Sequence, residues 1–401
     1  MKAKNRSVLH WREIPGGVWA LGLVSLFMDL SSEMIHALLP LYLVTVLGAS
    51  ALTVGIIEGT AEATASITKI FSGALSDYLG KRKLLATLGY GLAAITKPVF
   101  PLAPDILWLT AARFVDRIGK GIRGAPRDAL IADLTPASAR GGAYGLRQTL
   151  DTVGAVLGPL FAVVFMAAFA GNFTHVFWIA VIPAFIAVAI IVFAVREPER
   201  PAGMRKVKAP FSRAELARLN MTYWMVVGVT AIFTLARFSE AFLLLRAHSV
   251  GLPMALVPAV MIVMNAVYAL SAWPAGTLSD SIGRYGMLVV GFSLLIVADL
   301  VLALGNSVPT VMIGVALWGL HMGLTQGLLS AMVADAAPAE LRGTAFGIFN
   351  LVSGLALLTA SIIAGALWDV VGPDGTFLAG AAFTAAALVV LPFARRRAAR
   401  S

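Results

Sequence analysis

Cysteine is absent from all 401 residues. A disulfide framework, a thiolate nucleophile and a cysteine-ligated metal are thereby excluded. Histidine is scarce: the chain has five, without the H-E-x-x-H spacing that would gather a metal. No G-x-x-x-x-G-K-[ST] loop occurs, so ATP coupling has no support and no cofactor is implied. Charge is thin, at 13% of residues, and acids are the scarcer sign, 21 against 31 lysines and arginines. Long polar stretches are nearly missing. The longest runs from Arg196 to Asn220, and most other connections are a few residues, which leaves no room for an extramembrane catalytic domain.

What fills the chain instead is apolar. The hydrophobic fraction is 59% and the mean hydropathy +0.86, well above a soluble domain's roughly 45–50% apolar usage. A spanning helix needs about 20 mostly apolar residues. About twelve such stretches can be placed, centred near Met28, Ala65, Ala93, Ile118, Val156, Phe185, Ala231, Tyr268, Ile296, Leu320, Ala356 and Ala385. The segments are too long for barrel strands and do not alternate with period two. The apolar run after Pro15 is long and lacks a small-residue cleavage site, so it is expected to stay as the first helix.

The net charge of +10 would suit nucleic acid, but its placement argues against that partner. Lys2, Lys4, Arg6 and Arg12 precede the first helix. Lys81, Arg82 and Lys83 follow the second, Arg140 the fourth, and Arg284 and Arg342 lie at the equivalent turns later on. Seven basic residues fill 196–218, and Arg395, Arg396, Arg397 and Arg400 close the chain. The alternate turns, near Ala49, Pro104, Asn172, Gly251, Asn306 and Gly372, hold essentially none. This positive-inside pattern predicts a multi-pass protein of the cell's inner membrane, with both termini and the middle linker in the cytoplasm. The expected organisation is a six-helix bundle over 1–195, a linker over 196–220 and a second six-helix bundle over 221–401.

The two bundles read as copies. Gly73 to Lys83 is GALSDYLGKRK, and about 200 residues later Gly276 to Gly286 is GTLSDSIGRYG. Ala132 to Gly145 (ADLTPASARGGAYG) and Ala334 to Gly347 (ADAAPAELRGTAFG) keep nearly the same offset. Duplication in an apolar chain points to a transporter whose two bundles rock about a shared site.

The first of these segments resembles the cytoplasmic motif of the major facilitator superfamily, G-x-x-x-D-[RK]-x-G-[RK]-[RK]. Gly73, Asp77, Gly80, Lys81 and Arg82 match, with Tyr78 where a basic residue is usual; the second copy offers Gly276, Asp280, Gly283 and Arg284. The resemblance, with the duplication and the helix count, covers nearly the whole chain. It implies an all-α membrane protein of twelve transmembrane helices in two pseudo-symmetric bundles. It also implies that Asp77, joined by Asp133, latches the two halves in one state, a carboxylate at a helix end suiting a neighbouring helix N-terminus or a basic side chain. The plainer reading makes Lys81, Arg82 and Lys83 topology determinants only. Gly154, Gly158 and Pro159 fit the core of the superfamily's antiporter motif, G-x-x-x-G-P, which points toward efflux. Small-xxx-small spacing is also ordinary helix packing.

The fourth helix carries the most unusual chemistry. Arg113, Arg117, Lys120, Arg123 and Arg127 recur at three- or four-residue steps and share one face, with Asp116 between them. At 1.5 Å per residue, Arg113 and Arg117 lie roughly 12 and 18 Å inside the external end. A charge at that depth costs about 2.5–3.5 kcal/mol on insertion scales, so the stripe must face protein or water. The duplicated helix, LWGLHMGLTQGLLSAMVAD, has no lysine or arginine, so the fold does not require the stripe. In the superfamily, helices one, four, seven and ten line the central cavity, and the resemblance puts the stripe there. Arg113, Arg117 and Lys120 are then expected to bind an anionic or zwitterionic substrate; the alternative is an internally paired lattice.

Acids sit at matching depth. Asp29 and Glu33 lie one turn apart on helix one with His36 beyond, Glu58 and Glu62 on helix two, Arg147 and Asp151 on helix five, and Arg237 and Glu240 on helix seven. Asp29, Glu33, Arg237 and Glu240 are further candidates for substrate contact. Asp29, Glu33, Glu58, Glu62, Asp116 and Asp151 are candidates for carrying a proton between two states. The expectation is a monomeric, proton-coupled secondary transporter of a small organic solute, in the efflux direction. Uptake of an anionic metabolite or metal chelate is the alternative within transport. An intramembrane enzyme lacks a nucleophile–base arrangement, and a receptor or channel would not need the duplication.

Overall fold

The computed structural model describes residues 14–136, 139–197, 218–338 and 341–398. Most of the 196–220 linker, both chain ends, and the side chains of Asp77 and Asp280 therefore lie outside the described residues. Everything described is helix or short connection, with no strand.

Among the described residues twelve principal helices follow in order. The first six are α1 (Gly16–His36), α2 (Ala51–Leu79), α3 (Arg82–Thr96), α4 (Ile106–Leu134), α5 (Arg140–Ala168) and α6 (Phe173–Ala194). The second six are α7 (Met221–Ala236, resumed at Ala241–Ser249), α8 (Ala259–Ile282), α9 (Arg284–Leu304), α10 (Val308–Ala336), α11 (Arg342–Val370) and α12 (Pro373–Ala398). Nine stretches among the described residues are long and apolar enough to cross a membrane on composition alone. The other three are α2, α3 and α4. α2 and α4 carry the buried charges and α3 is short. They pack on one another inside the first bundle, and neighbouring helices, not lipid, satisfy what a lone span could not.

Side-chain oxygens begin several helices by accepting a free amide. Ser50 caps α2, Asp105 α4, Asn172 α6, Asn220 α7 and Ser307 α10. Two tight turns need glycine: Gly80 after α2 and Gly283 after α8 have φ of 68° and 81°. Beside each turn an ion pair ties consecutive hairpins, Arg82 to Asp133 at 2.5 Å and Arg284 to Asp335. The duplication read from sequence is thus repeated in contacts.

Within the first half α1 packs on α5 and α6, and α4 on α2 and α3. Within the second, α10 packs on α8 and α9, and α12 on α7 and α9. The halves meet along α2–α11 and α5–α8. Glycines on both sides bring the α2 and α11 backbones close together in this seam. A Cβ on Gly365 would stand 2.5 Å from the Ala51 carbonyl oxygen, and one on Gly59 3.1 Å from the Leu358 backbone. Gly55 lies against Ser361, and Gly354 against Ser66. At the Gly48 face the seam ends in a cap supplied across the halves. Asp369 of α11 accepts from the amides of Ala51 and Leu52 at 3.0 and 2.9 Å, so a carboxylate of one bundle closes the N-terminus of a helix in the other.

The cap generates a test. We expect Asp369→Asn to weaken the seam by about 0.5–2 kcal/mol, the range for losing a charged helix cap. The chain lacks cysteine, so Val46→Cys and Val370→Cys, both exposed at this face, can be spin-labelled without background. Their distance distribution should gain a longer component in the Asp369→Asn protein. An unchanged distribution would show that the cap does not hold the seam.

Candidate functional site

The charges of the first half resolve into a network centred on α4. Arg113 reaches Glu58 of α2 at 2.6 Å, and both are almost fully buried. His36 bridges the same Glu58 at 3.5 Å and Glu33 at 3.3 Å. One turn further along α4, Asp116 holds Lys97, just past α3, at 2.9 Å and Arg117 at 3.4 Å, and Lys97 also donates to Ser32. Arg117 extends to Glu62 at 3.1 Å. Arg123 lies 4.9 Å over the Tyr90 ring and 3.7 Å from Asp29, which faces Asp151. Arg127 meets Asp128 at 3.0 Å, Asp151 at 3.8 Å and the Ser25 hydroxyl. Arg147 contacts Asp128 and Asp151. The four arginines of the stripe and their acids thus form a lattice of neighbouring clusters over α1–α5.

Close backbone approach makes the lattice possible. A Cβ on Gly154 would meet the Leu26 carbonyl at 2.5 Å, and one on Gly158 the Glu33 Cβ at 2.6 Å. These two glycines press α5 onto the α1 face that carries Asp29 and Glu33. Gly119 and Gly121 do the same for α4 against α3 and α2. The proline of the motif, Pro159, sits within a continuous α5.

Between the halves lies a cavity of about 480 Å³. Its first-half wall holds Glu33, His36, Glu62, Ser66, Arg117 and Lys120. Its second-half wall differs in kind. Arg237 and Glu240 supply charge; Asn265, Gln326 and Asn350 supply carboxamides; Phe238, Trp318 and Phe349 supply rings. The cavity runs along α10 from Trp318 to Ser330, away from the closed Gly48 face.

The wall contains α7's interruption. Residues Arg237, Phe238, Ser239 and Glu240 separate its two helical pieces. The Ser239 amide donates to Ser361 of α11, and the Ala241 amide to the Ser239 hydroxyl. The backbone freed by the break is therefore re-satisfied by side chains.

The proposed contact residues thus fall in different places. Arg113, Glu58 and Asp116 lie in the lattice behind the cavity. Arg117, Glu33 and Glu62 are in the wall but already paired. Lys120, Arg237 and Glu240 are in the wall and make no ion pair among the described residues. Asp29 and Asp151 belong to the lattice nearer the Gly80 face. Asp133 and Arg82 pair within their own half. Sequence reasoning missed Lys97, the central cation of the Asp116 cluster. It sits just past the end of α3, where a lysine reads as an interfacial charge.

Two tests follow from the packing. Removing one partner of a buried pair leaves a bare charge, so Arg113→Met should cost about 3–5 kcal/mol of stability. Adding Glu58→Gln should recover a large part of that loss, since the pair is coupled. Separately, Gly158→Ala should lower stability by about 1–3 kcal/mol by overpacking α5 on α1. Gly141→Ala, which meets nothing within 4 Å, should not. Thermal denaturation in detergent reads all four variants.

Comparison with known proteins gives the family. The model of the Major Facilitator Superfamily matches residues 21–265 and 241–401. The chain is 35% identical over 377 residues to an MFS-type transporter, MJ1317 of Methanocaldococcus jannaschii, covering 92% of each. It is 25% identical to the inner membrane transport protein YajR of Escherichia coli, covering 93% of this chain and 82% of that one. Among solved structures, the nucleoside transporter NupG superposes with a TM-score of 0.81 at 12% identity, over 94% of this chain and 99% of that one, a likeness of fold alone. With its duplicated bundles, central cavity and multi-pass topology, the chain belongs to the major facilitator superfamily and is a membrane transporter, not an enzyme.

Proposed function

We propose that the protein moves a small anionic or zwitterionic organic solute across the inner membrane by alternating access, coupled to protons, in the efflux direction. One observation carries the cargo assignment. Lys120 from the first half, and Arg237 and Glu240 from the second, project into one cavity without an ion-pair partner among the described residues. A solute with an acidic group would supply what Lys120 and Arg237 lack, and an amino group would do so for Glu240. Paired charges such as Arg117–Glu62 and Glu33–His36 form the rest of the polar wall. A cavity of about 480 Å³ lies in the usual range for small-ligand sites.

Alternating access is supported by the asymmetry of closure. The α2–α11 seam shuts the Gly48 face while the cavity extends toward the Gly80 face. With the basic turns on the cytoplasmic side, this is an inward-facing state. Asp77, Asp280, Gly73, Gly80, Lys81, Arg82, Asp133 and Arg284 are then the parts that latch the cytoplasmic face in the opposite state. The name of the YajR relative supports the inner membrane, and the Gly154–Gly158–Pro159 motif the efflux direction. Protons are carried by carboxyls whose neighbours change between states. Glu33 and Glu62 line the cavity, and Asp29 and Asp151 lie in the lattice nearer the Gly80 face, whereas Glu58 and Asp116 are locked to Arg113 and Lys97.

The test begins with a thermal-shift screen of the purified protein against small anionic, zwitterionic, neutral and cationic compounds. Anionic or zwitterionic compounds should stabilise it. Their affinity should fall at least about tenfold, or about 1.4 kcal/mol, in Lys120→Gln and in Arg237→Lys, because lysine lacks the planar fork of arginine. Binders in liposomes should move against a proton flux. Stabilisation by neutral or cationic compounds alone would sink the cargo assignment and leave the fold and family intact.

A further inference from the structure

The second half contains an acid that the transport reading leaves unused. Asp299 of α9 is fully buried, and both its carboxyl oxygens lack a hydrogen-bond partner. The Arg82–Asp133 and Arg284–Asp335 pairs set the two repeats in register. In that register Asp299 corresponds to Lys97 and Trp318 to Asp116. The first half thus holds a buried ion pair, Lys97–Asp116 at 2.9 Å, where the second sets a lone carboxyl beside aromatic rings.

Among the described residues nothing forms a hydrogen bond or an ion pair with the Asp299 carboxyl. From α12, Gly380 faces it so closely that a Cβ there would stand 2.8 Å from Oδ2, and the Phe238 ring 3.2 Å from the same point. Phe238 belongs to the break in α7, packs on Trp318 at 5.4 Å between centroids, and lines the cavity. Charged and titratable groups face this region from each neighbour. α7 carries Arg237 and Glu240 on either side of the break. It also carries Arg246, which is taken up by the carbonyls of Leu302, Ala303 and Gly305 and by Asp374 of α12. α10 carries His321, buried edge-on against Trp318. None of these forms an ion pair with Asp299.

We propose that Asp299 is a proton-binding site of the second half, separated from the cavity by the Phe238 ring and opened to it when the α7 break rearranges. An unpaired carboxylate in such surroundings costs far more than a neutral carboxylic acid. The acid therefore holds its proton while Phe238 covers it and gives it up when water or a cation reaches it. Phe238 sits where α7 lacks regular helical bonding, on a segment tied to α11 through Ser239 and Ser361. Movement of α11 against α2 is thus transmitted to the ring that covers the acid. A proton suits the site better than a metal cation, because Gly380, Phe238 and Trp318 offer no ring of oxygens.

The proposal rests on the alternating-access reading, but its first test needs no cargo. Infrared difference spectra of the protein in lipid, taken across a pH titration, should show a protonated-carboxyl C=O band that is lost in Asp299→Asn. The band should remain in His321→Gln and in Glu240→Gln. Asp299→Glu should retain it at a shifted frequency, which covers the case in which the asparagine variant fails to fold. Replacing potassium by sodium should leave the titration unchanged. An unaltered titrating band in Asp299→Asn, an unshifted one in Asp299→Glu, or displacement of the proton by sodium would each overturn the site. Once a cargo is identified, Asp299→Asn should bind and exchange it as wild type does, yet lose accumulation driven by a pH gradient. If wild type moves no compound, the transport reading fails while the infrared result still decides the proton site.

Discussion

The lattice around α4 is the constraint on which the first half depends. Five basic residues on one helical face cannot enter a bilayer unanswered. Glu58, Glu62, Asp116, Asp29 and Asp151 answer the four arginines from α1, α2, α4 and α5, with Lys97 contributed by the segment after α3, while Lys120 faces the cavity. Each pair fixes the rotation of one helix against another, because a buried charge moved by one residue meets hydrocarbon. The glycines at 119, 121, 154 and 158 then follow as requirements, since the side chains reach their partners only if the backbones approach this closely. Buried pairs of this kind are weak sources of net stability and strong sources of specificity. The first bundle is accordingly a body of fixed internal geometry.

The second bundle is organised differently. Its cavity wall sets the charges of Arg237 and Glu240, unpaired among the described residues, amid carboxamides, hydroxyls and rings, and the position equivalent to the Lys97–Asp116 pair holds Asp299 and Trp318. Its cavity-lining helix α7 is interrupted where α1 runs on unbroken through Ser32 and Glu33. Rearranging a wall of rings and amides costs less than separating buried ions. The asymmetry therefore assigns rigidity to one repeat and adaptability to the other, although both descend from the same pattern of helices.

Much of this was legible in the sequence because it is periodic. Helix count, duplication and the stripe Arg113–Arg127 all repeat at fixed steps, and repetition survives in one dimension. The partners of the stripe were only partly legible. Asp116 and Glu62 were visible as acids at matching depth, but Lys97 was not, because its role depends on where α3 ends. The break in α7 carries no glycine or proline to announce it, since Ser239 and Ser361 compensate the backbone across 122 residues of chain. Asp369 was invisible for the same reason, as it caps a helix in the other half. Asp299 did leave a trace, being the one acid in α9, but only its neighbours show that nothing answers it.

The seam between α2 and α11 has a consequence for leakage. Side-chain gates open by degrees, one rotamer at a time, and a pore one water wide is enough to pass protons. Here Gly55, Gly59 and Gly365 meet backbone atoms of the facing helix and Gly354 meets the short Ser66 side chain, so little is available to swing aside. The contact separates only if whole helices part. A barrier of that kind opens as a unit and not by the turn of one rotamer.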